Sequence, residues 1–280
     1  DWRVRAAAIA GCRTVRSRDC LGWLVEQLGR EEGRLRWDVV LALTDLADRD
    51  LGLSPDPWRA WWAANRETFT PRPAGTPGSG PPSAVSTQAS FFSVPILSTR
   101  MVFLLDLSGS MREPAPGGGT KLEEAKRGML ATIRSLPPKA RFGITGLGCD
   151  ATGAWTKREE KTWGRRLALV PASPSAKADA ERFVQGLEAH GWTNLWDGLE
   201  HAMSAPDVDT VFLYSDGGAS KGTFSAAGEI LSRLERLNRF RRVVVHAVEV
   251  PGERNPADNR RLLGAIARAT GGDARLFDRK

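Results

Sequence analysis

The sequence predicts an α/β protein, a doubly wound and mostly parallel sheet preceded by a small all-α domain. Three observations carry that expectation. Residues 101–107 and 210–215 are continuous apolar runs, the mark of strands covered on both faces, and amphipathic helical patterns follow them. Residues 1–69 hold helical periodicity and no strand pattern. Between these regions lies Thr70-Pro-Arg-Pro-Ala-Gly-Thr-Pro-Gly-Ser-Gly-Pro-Pro-Ser83, whose prolines and glycines set turns and extended geometry and leave little apolar surface to bury. The organisation expected is therefore a helical domain at 1–69, a linker at 70–90 and an α/β domain at 91–280.

In the first region helices are predicted at residues 2–15, 19–31, 35–47 and 56–69, forming two hairpins. Val4, Ala7, Ala8 and Gly11 recur at helical spacing in the first helix, as do Leu35, Val39, Ala42, Leu43 and Leu46 in the third. Val-Arg-Ala-Ala-Ala at 4–8 and Leu-Arg-Trp-Asp-Val at 35–39 align about 31 residues apart, a period that suggests a helical solenoid. The stretch resembles HEAT repeats, above all in the Val-Arg-x-x-Ala start at Val4–Ala8. A generic helical bundle is the alternative. Two repeats seldom bury enough surface alone, so continuation toward the N-terminus or docking onto the second domain is expected. Trp58, Trp61 and Trp62 would anchor such docking or simply fill the helical core.

Beyond the linker, strands are predicted at 101–107, 141–147, 210–215, 243–250 and 274–277. Helices are predicted at 121–136, 178–189, 195–203, 224–240 and 260–269. Leu122, Ala125, Met129, Ile133 and Leu136 form one stripe, and Phe224, Ala227, Leu231, Leu234 and Leu237 another. Strands alternating with helices give a parallel sheet with helices on both faces, whose ligands bind at the carboxyl ends of the strands.

Composition narrows the function. Hydrophobic residues at 41% and charged residues at 26% fit a globular protein. No apolar stretch approaches the roughly 18 residues that span a bilayer. The net charge of +7 invites a nucleic-acid reading, but Lys plus Arg against Asp plus Glu count 11 to 11 over residues 1–70, 2 to 0 over 71–100 and 27 to 22 beyond. The excess is spread thinly. Cys12, Cys20 and Cys149 lack both disulfide density and zinc spacing, read as buried thiols, and leave the compartment open. The chain opens at Asp1 directly into a helical pattern, which reads as a piece of a longer protein.

The chemistry gathers at three loops. Asp106-Leu-Ser108-Gly-Ser110 ends the first strand, Thr193 opens a helix within Gly191-Trp-Thr-Asn-Leu, and Asp216 follows the strand at 210–215. Taken alone, the first segment is an ordinary turn with hydroxyl caps. Together, Asp106, Ser108, Ser110, Thr193 and Asp216 offer only hard oxygens, which suits Mg²⁺ or Mn²⁺, with Ca²⁺ as a substitute, and not zinc. Three of the five donors are neutral hydroxyls, which set no charge of their own against the ion. A carboxylate from a partner protein would complete such a site.

This pattern is similar to the metal-ion-dependent adhesion site of the von Willebrand factor A domain. The resemblance runs from about Phe92 to the C-terminus and includes Lys121-Leu-Glu-Glu-Ala-Lys126 and Ala267-Arg-Ala-Thr-Gly-Gly272. It implies that Ser108, Ser110 and Thr193 approach the ion through hydroxyls, with Asp106 and Asp216 direct or bridged by water. Trp192 departs from the pattern in a slot that is often Gly, and a bulky residue there would narrow the rim.

Other features divide between two meanings. Asp197 is either a supporting carboxylate or helix-dipole matching. The loop at 112–120 overhangs the site as a partner contact or is a plain connection. Lys157–Lys161 reads as a solvated turn, and His190, His201 and His246 form no ligand spacing. No nucleophile–base pair or phosphate loop appears, so an enzyme is not expected. The function expected is a divalent-cation-dependent docking module on a helical scaffold. The alternative is an RNA-binding protein like the ring-shaped Ro type, which also joins HEAT-like helices to an A domain. Against it, only two hairpins are present and no basic stripe interleaves with aromatics.

Overall fold

The computed structural model describes residues 1–76, 89–115, 118–148, 154–155, 167–250 and 256–277. The chain divides into two compact units, Asp1–Ser86 and Thr87–Lys280.

The first unit holds α1 (Trp2–Val15), α2 (Arg18–Leu28), α3 (Gly33–Ala47) and α4 (Pro55–Asn65). Local signals fix their ends. The Asp1 side chain accepts the Arg3 N–H, Ser17 accepts the Cys20 N–H at 3.1 Å, and Pro55 opens α4 where a missing N–H costs nothing. α1 packs on α3, and α2 packs on both α3 and α4. Leu35, Val39, Ala42, Leu43 and Leu46 are buried, as expected for α3. α1 instead buries Trp2, Ala6, Ile9 and Cys12 and leaves Val4 67% exposed. The helix is rotated from the stripe Val4, Ala7, Ala8 and Gly11 because the larger Trp, Ile and Cys side chains remove more apolar area from water. Trp58 is fully buried, its indole N–H donating to the Gly52 carbonyl at 2.9 Å, while Trp61 and Trp62 pack edge-on against Phe69. The segment read as a linker begins inside this unit, since Arg72 pairs with Asp45 and Asp48 and its carbonyl accepts Arg16 Nε at 2.6 Å. Residues 77–83 of that segment, Cys149 and the turn at 157–161 lie outside the described residues.

The second unit opens with a hairpin that the periodicity did not reveal, β1 (Ser90–Phe91) and β2 (Val94–Pro95). Its turn residues Phe92 and Ser93 take φ of 46° and 65°. Phe92 is held there by rings, 4.4 Å from Tyr214 and 5.1 Å from Phe277 between centroids. The main sheet follows, with β3 (Arg100–Asp106), β4 (Arg141–Leu147), β5 (Ala154–Trp155), β6 (Val170–Pro171), β7 (Thr210–Ser215), β8 (Val244–Glu249) and β9 (Ala274–Leu276). Its order is β5-β4-β3-β7-β8-β9, with β6 also on β4. β4, β3, β7, β8 and β9 run parallel, and the short β5 and β6 are antiparallel to β4.

The helices are α5 (Lys121–Ser135), α6 (Pro174–Gln185), α7 (Leu195–Met203), α8 (Ala227–Asn238) and α9 (Pro256–Thr270). Strand alternation sorts the core into two layers. Met101, Phe103 and Leu105 of β3 join the α5 and α6 side, whereas Val102 and Leu104 join the side of α7, α8 and α9. This is the doubly wound α/β fold expected. α6 begins at Pro174, before the predicted 178, because Ser173 caps the Ala176 N–H at 3.2 Å and Pro174 sits at N1. The strand order reverses at β3: the chain goes from β3 to β4 on one side and then returns to β7 on the other. The carboxyl end of β3, where Asp106 stands, is therefore the switch point of the sheet.

Candidate functional site

Register brings the acidic ends of two strands together. Leu105 pairs with Tyr214, so the next step sets Asp106 of β3 beside Ser215 of β7. Asp106 is fully buried. Its Oδ1 accepts the Ser108 N–H at 2.8 Å, and its Oδ2 accepts the Ser215 hydroxyl at 2.5 Å. Burial, together with the charge of Asp216, pushes the Asp106 carboxyl up to about 6, even though the bonds from Ser215 and Ser108 pull the other way. Two carboxylates thus share one electrostatic neighbourhood.

After Asp106 the chain turns through Ser108 into a short 3₁₀ helix, Gly109–Arg112. The Ser108 and Ser110 hydroxyls lie 3.0 Å apart. The Gly109 N–H donates to the Gly191 carbonyl at 3.0 Å, and the His190 N–H donates to the Leu107 carbonyl at 2.8 Å. Those two bonds tie the Thr193 loop to the serine loop. Gly191 has φ 71°, which favours glycine there. Thr193 is buried, its N–H donates to Ser220 Oγ at 3.0 Å, and its carbonyl accepts the Ser220 and Lys221 N–H groups. No hydrogen bond among the described residues engages the Thr193 hydroxyl or Asp216 Oδ1.

Asp216, also buried, is fixed from both sides. Its Oδ2 accepts Lys121 Nζ at 3.0 Å, and its carbonyl accepts Asn259 Nδ2 at 3.0 Å. Lys121 also donates to Glu113 Oε2 at 2.6 Å. Burial pushes the Lys121 ammonium down, but the bonds and charges of Glu113 and Asp216 outweigh it and raise the pKa above the ordinary lysine range.

Of the undecided residues, Asp197 goes to loop bracing: it accepts Asn194 Nδ2 at 2.7 Å and the Thr223 N–H at 3.4 Å. Trp192 is 57% exposed on the rim beside Thr193. The loop after Ser110 is braced by Arg112 Nε on the Ala189 carbonyl and by the Pro114–Thr120 bridge. His201 bonds Thr145 at 3.0 Å, and His246 accepts the Asp273 N–H and stacks on Phe212.

No site role was read for Glu113, Ser215, Ser220 or Asn259, nor for Lys121, which stood only within the Lys121–Lys126 resemblance. One signal was present: Lys121 is the first residue of α5, where the helix dipole disfavours a cation, so nearby carboxylates are required.

Among the described residues no three His, Cys, Asp or Glu side chains form a metal cluster. The donor set here is of another kind, two carboxylates with three hydroxyls. It fits a hard divalent cation, because every donor is oxygen and the carboxylates are crowded enough to raise Asp106.

The chain matches the family model described as von Willebrand factor type A domain over residues 99–276. It is similar to inter-alpha-trypsin inhibitor heavy chain H3 of Homo sapiens, 26% identical over 141 residues, covering 46% of this chain and 14% of that protein. It is also similar to von Willebrand factor A domain-containing protein 3A of Homo sapiens, 25% identical over 156 residues, covering 55% of this chain and 11% of that protein. The matches therefore span only a small part of those relatives. Among solved structures, a von Willebrand factor type A protein from Catenulispora acidiphila aligns with a TM-score of 0.51 at 20% identity, covering 66% of this chain and 40% of that one, and shows the shared fold. With residues 99–276, most of its length, matched, the chain belongs to the von Willebrand factor type A domain family, a family of protein-interaction and adhesion modules.

Proposed function

We propose that the second unit is a divalent-cation-dependent protein-docking module in which Asp106, Ser108, Ser110, Thr193 and Asp216 hold Mg²⁺, replaceable by Mn²⁺ or Ca²⁺, and a partner protein supplies an Asp or Glu carboxylate. The observation that carries it is the juxtaposition at the switch point: two buried carboxylates within each other's field, flanked by hydroxyls from two loops that hydrogen bonds tie together. A bound ion would supply a positive centre that attracts an external carboxylate. The chain's own residues do the rest. Asp106 is held by Ser108 and Ser215, Asp216 by Lys121 and Asn259, and the Thr193 hydroxyl is left to a ligand.

The first unit is read as HEAT-like hairpins. Packing of α1 on α3 and of α2 on α4, first helix on first and second on second, supports stacked hairpins.

Calorimetry tests the site. The intact chain should bind Mg²⁺, and Asp106→Ala, verified as folded, should not. Binding of a protein partner should weaken by about 2–5 kcal/mol with EDTA or with Asp106→Ala, the range for removing one member of a buried charged pair. A folded Asp106→Ala chain that binds Mg²⁺ like the wild type would sink the proposal.

A further inference from the structure

Lys121 is the unexplained charge of this site. Its side chain is only 2% exposed, and its ammonium lies between Glu113 Oε2 at 2.6 Å and Asp216 Oδ2 at 3.0 Å. Lysine is almost never fully buried unless paired, and it stands at the helix end where the dipole opposes it. Its backbone is fixed as well. Its backbone N–H donates to the Glu113 carbonyl at 3.0 Å, and α5 is started by a capping box in which Thr120 and Glu123 satisfy each other's N–H groups.

A lysine so fixed holds one of the site's carboxylates against a permanent neighbour. Asp106 and Asp216 carry two negative charges, and Lys121 cancels part of this at Asp216. We propose that Lys121 is a built-in cation that lowers the intrinsic metal affinity of the site, so that a divalent ion and a partner carboxylate bind together far better than either binds alone. The inference rests on the adhesion-site reading above. The physical cause is competition for one anion: ammonium and metal repel each other at short range in a partly desolvated place, and an arriving carboxylate restores the charge that Lys121 removed. Because coupling is reciprocal, the factor by which a bound carboxylate tightens the metal is the factor by which the bound metal tightens the carboxylate. An inert structural lysine predicts neither effect, and a lysine that merely positions Asp216 predicts the opposite response to its removal.

The experiment titrates Mg²⁺ into the full chain by calorimetry, with Mn²⁺ counted by electron paramagnetic resonance, for wild type, Lys121→Met, Lys121→Gln and Asp106→Ala. Circular dichroism melts establish which variants fold. Met fills the volume without charge, and Gln keeps amide donors toward both carboxylates. Both lysine variants should bind Mg²⁺ at least about tenfold more tightly than wild type, a modest fraction of the Coulomb repulsion removed. A folded variant that binds Mg²⁺ equally or more weakly overturns the role given to Lys121. The wild-type chain supplies an arm that needs no variant: acetate, as the carboxylate probe, should tighten Mg²⁺ binding at least about threefold in wild type, and less in the lysine variants. Absence of that coupling in wild type also overturns it. If neither wild type nor the lysine variants bind Mg²⁺ or Mn²⁺, the adhesion-site reading itself fails. If wild type binds, Asp106→Ala does not, and the lysine variants match wild type, only the role of Lys121 fails.

Discussion

Gly217 shows how tightly single residues are bound to the site. Its φ is 106°, and a Cβ added there would meet Asn259 Cβ at 2.4 Å. Both the backbone conformation and the space exclude a side chain, and Asn259 is the residue whose amide holds the Asp216 carbonyl. Gly217→Ala should destabilise the fold by about 2–3 kcal/mol, from one strained backbone conformation plus one forced shift. At Gly218 the nearest atom to an added Cβ is 3.5 Å away, so Gly218→Ala should cost well under about 1 kcal/mol. Denaturant unfolding of the two variants compares them directly, and equal losses would refute the steric account. The same scale explains Asp106. Its carboxyl is pushed up by burial and by Asp216, so the fold holds an arrangement that its own charges oppose.

At the scale of elements, α1 and α3 are joined through one carboxylate. Asp45 Oδ2 accepts Arg16 Nη1 at 2.8 Å, and Asp45 Oδ1 accepts Arg72 Nη2 at 2.5 Å. Burial pushes the Asp45 carboxyl up, but the bonds from Arg16 and Arg72 and the charges of Arg16 and Arg13 outweigh it and hold it below the usual carboxylate range. A depressed folded pKa means that this stability is present above the unfolded pKa, about 4, and is lost as pH falls through the folded value. Asp45→Asn should therefore destabilise the helical unit by about 1–3 kcal/mol at neutral pH, the worth of charged hydrogen bonds, and the gap to wild type should close in acid. Unfolding curves at pH 7 and pH 3 measure it, and a gap that persists at pH 3 would show that packing rather than charge is lost. Arg16 is reached this way because it ends α1 in the left-handed region, φ 51°.

At the scale of the molecule, each unit has its own core: Leu21, Leu43 and Trp58 in one, and the two layers flanking β3 in the other. A chain expressed from Thr87 to Lys280 should fold alone, unfold cooperatively and keep the Mg²⁺ affinity of the full chain. Loss of cooperativity, or strong binding of a hydrophobic dye at neutral pH, would show that the second core is incomplete without the first unit.

By itself the sequence determined most of the elements and singled out the residues proposed as donors. β4, β7 and α7 fall on the predicted residues; β7, buried on both faces, carries the unbroken apolar run 211–214, and α7 repeats its apolar residues at three and four. The oxygen set was legible because Asp106, Ser108 and Ser110 are close in the chain and because Thr193 and Asp216 lie at element ends where the fold class directs ligands. Tertiary structure decided what no local pattern carries. The β1–β2 hairpin is two residues a side and is held by Phe92 on Tyr214 and Phe277, rings from distant segments. α1 buries Trp2, Ala6, Ile9 and Cys12 because its largest apolar side chains, Trp2 and Ile9, lie on that face, a weighing of area that spacing alone does not make. Lys121 entered the site because α5 begins where Glu113 and Asp216 converge, a contact between residues 95 apart in the chain. Periodicity reports which face of an element is apolar; only the packed chain reports which charges that packing forces together.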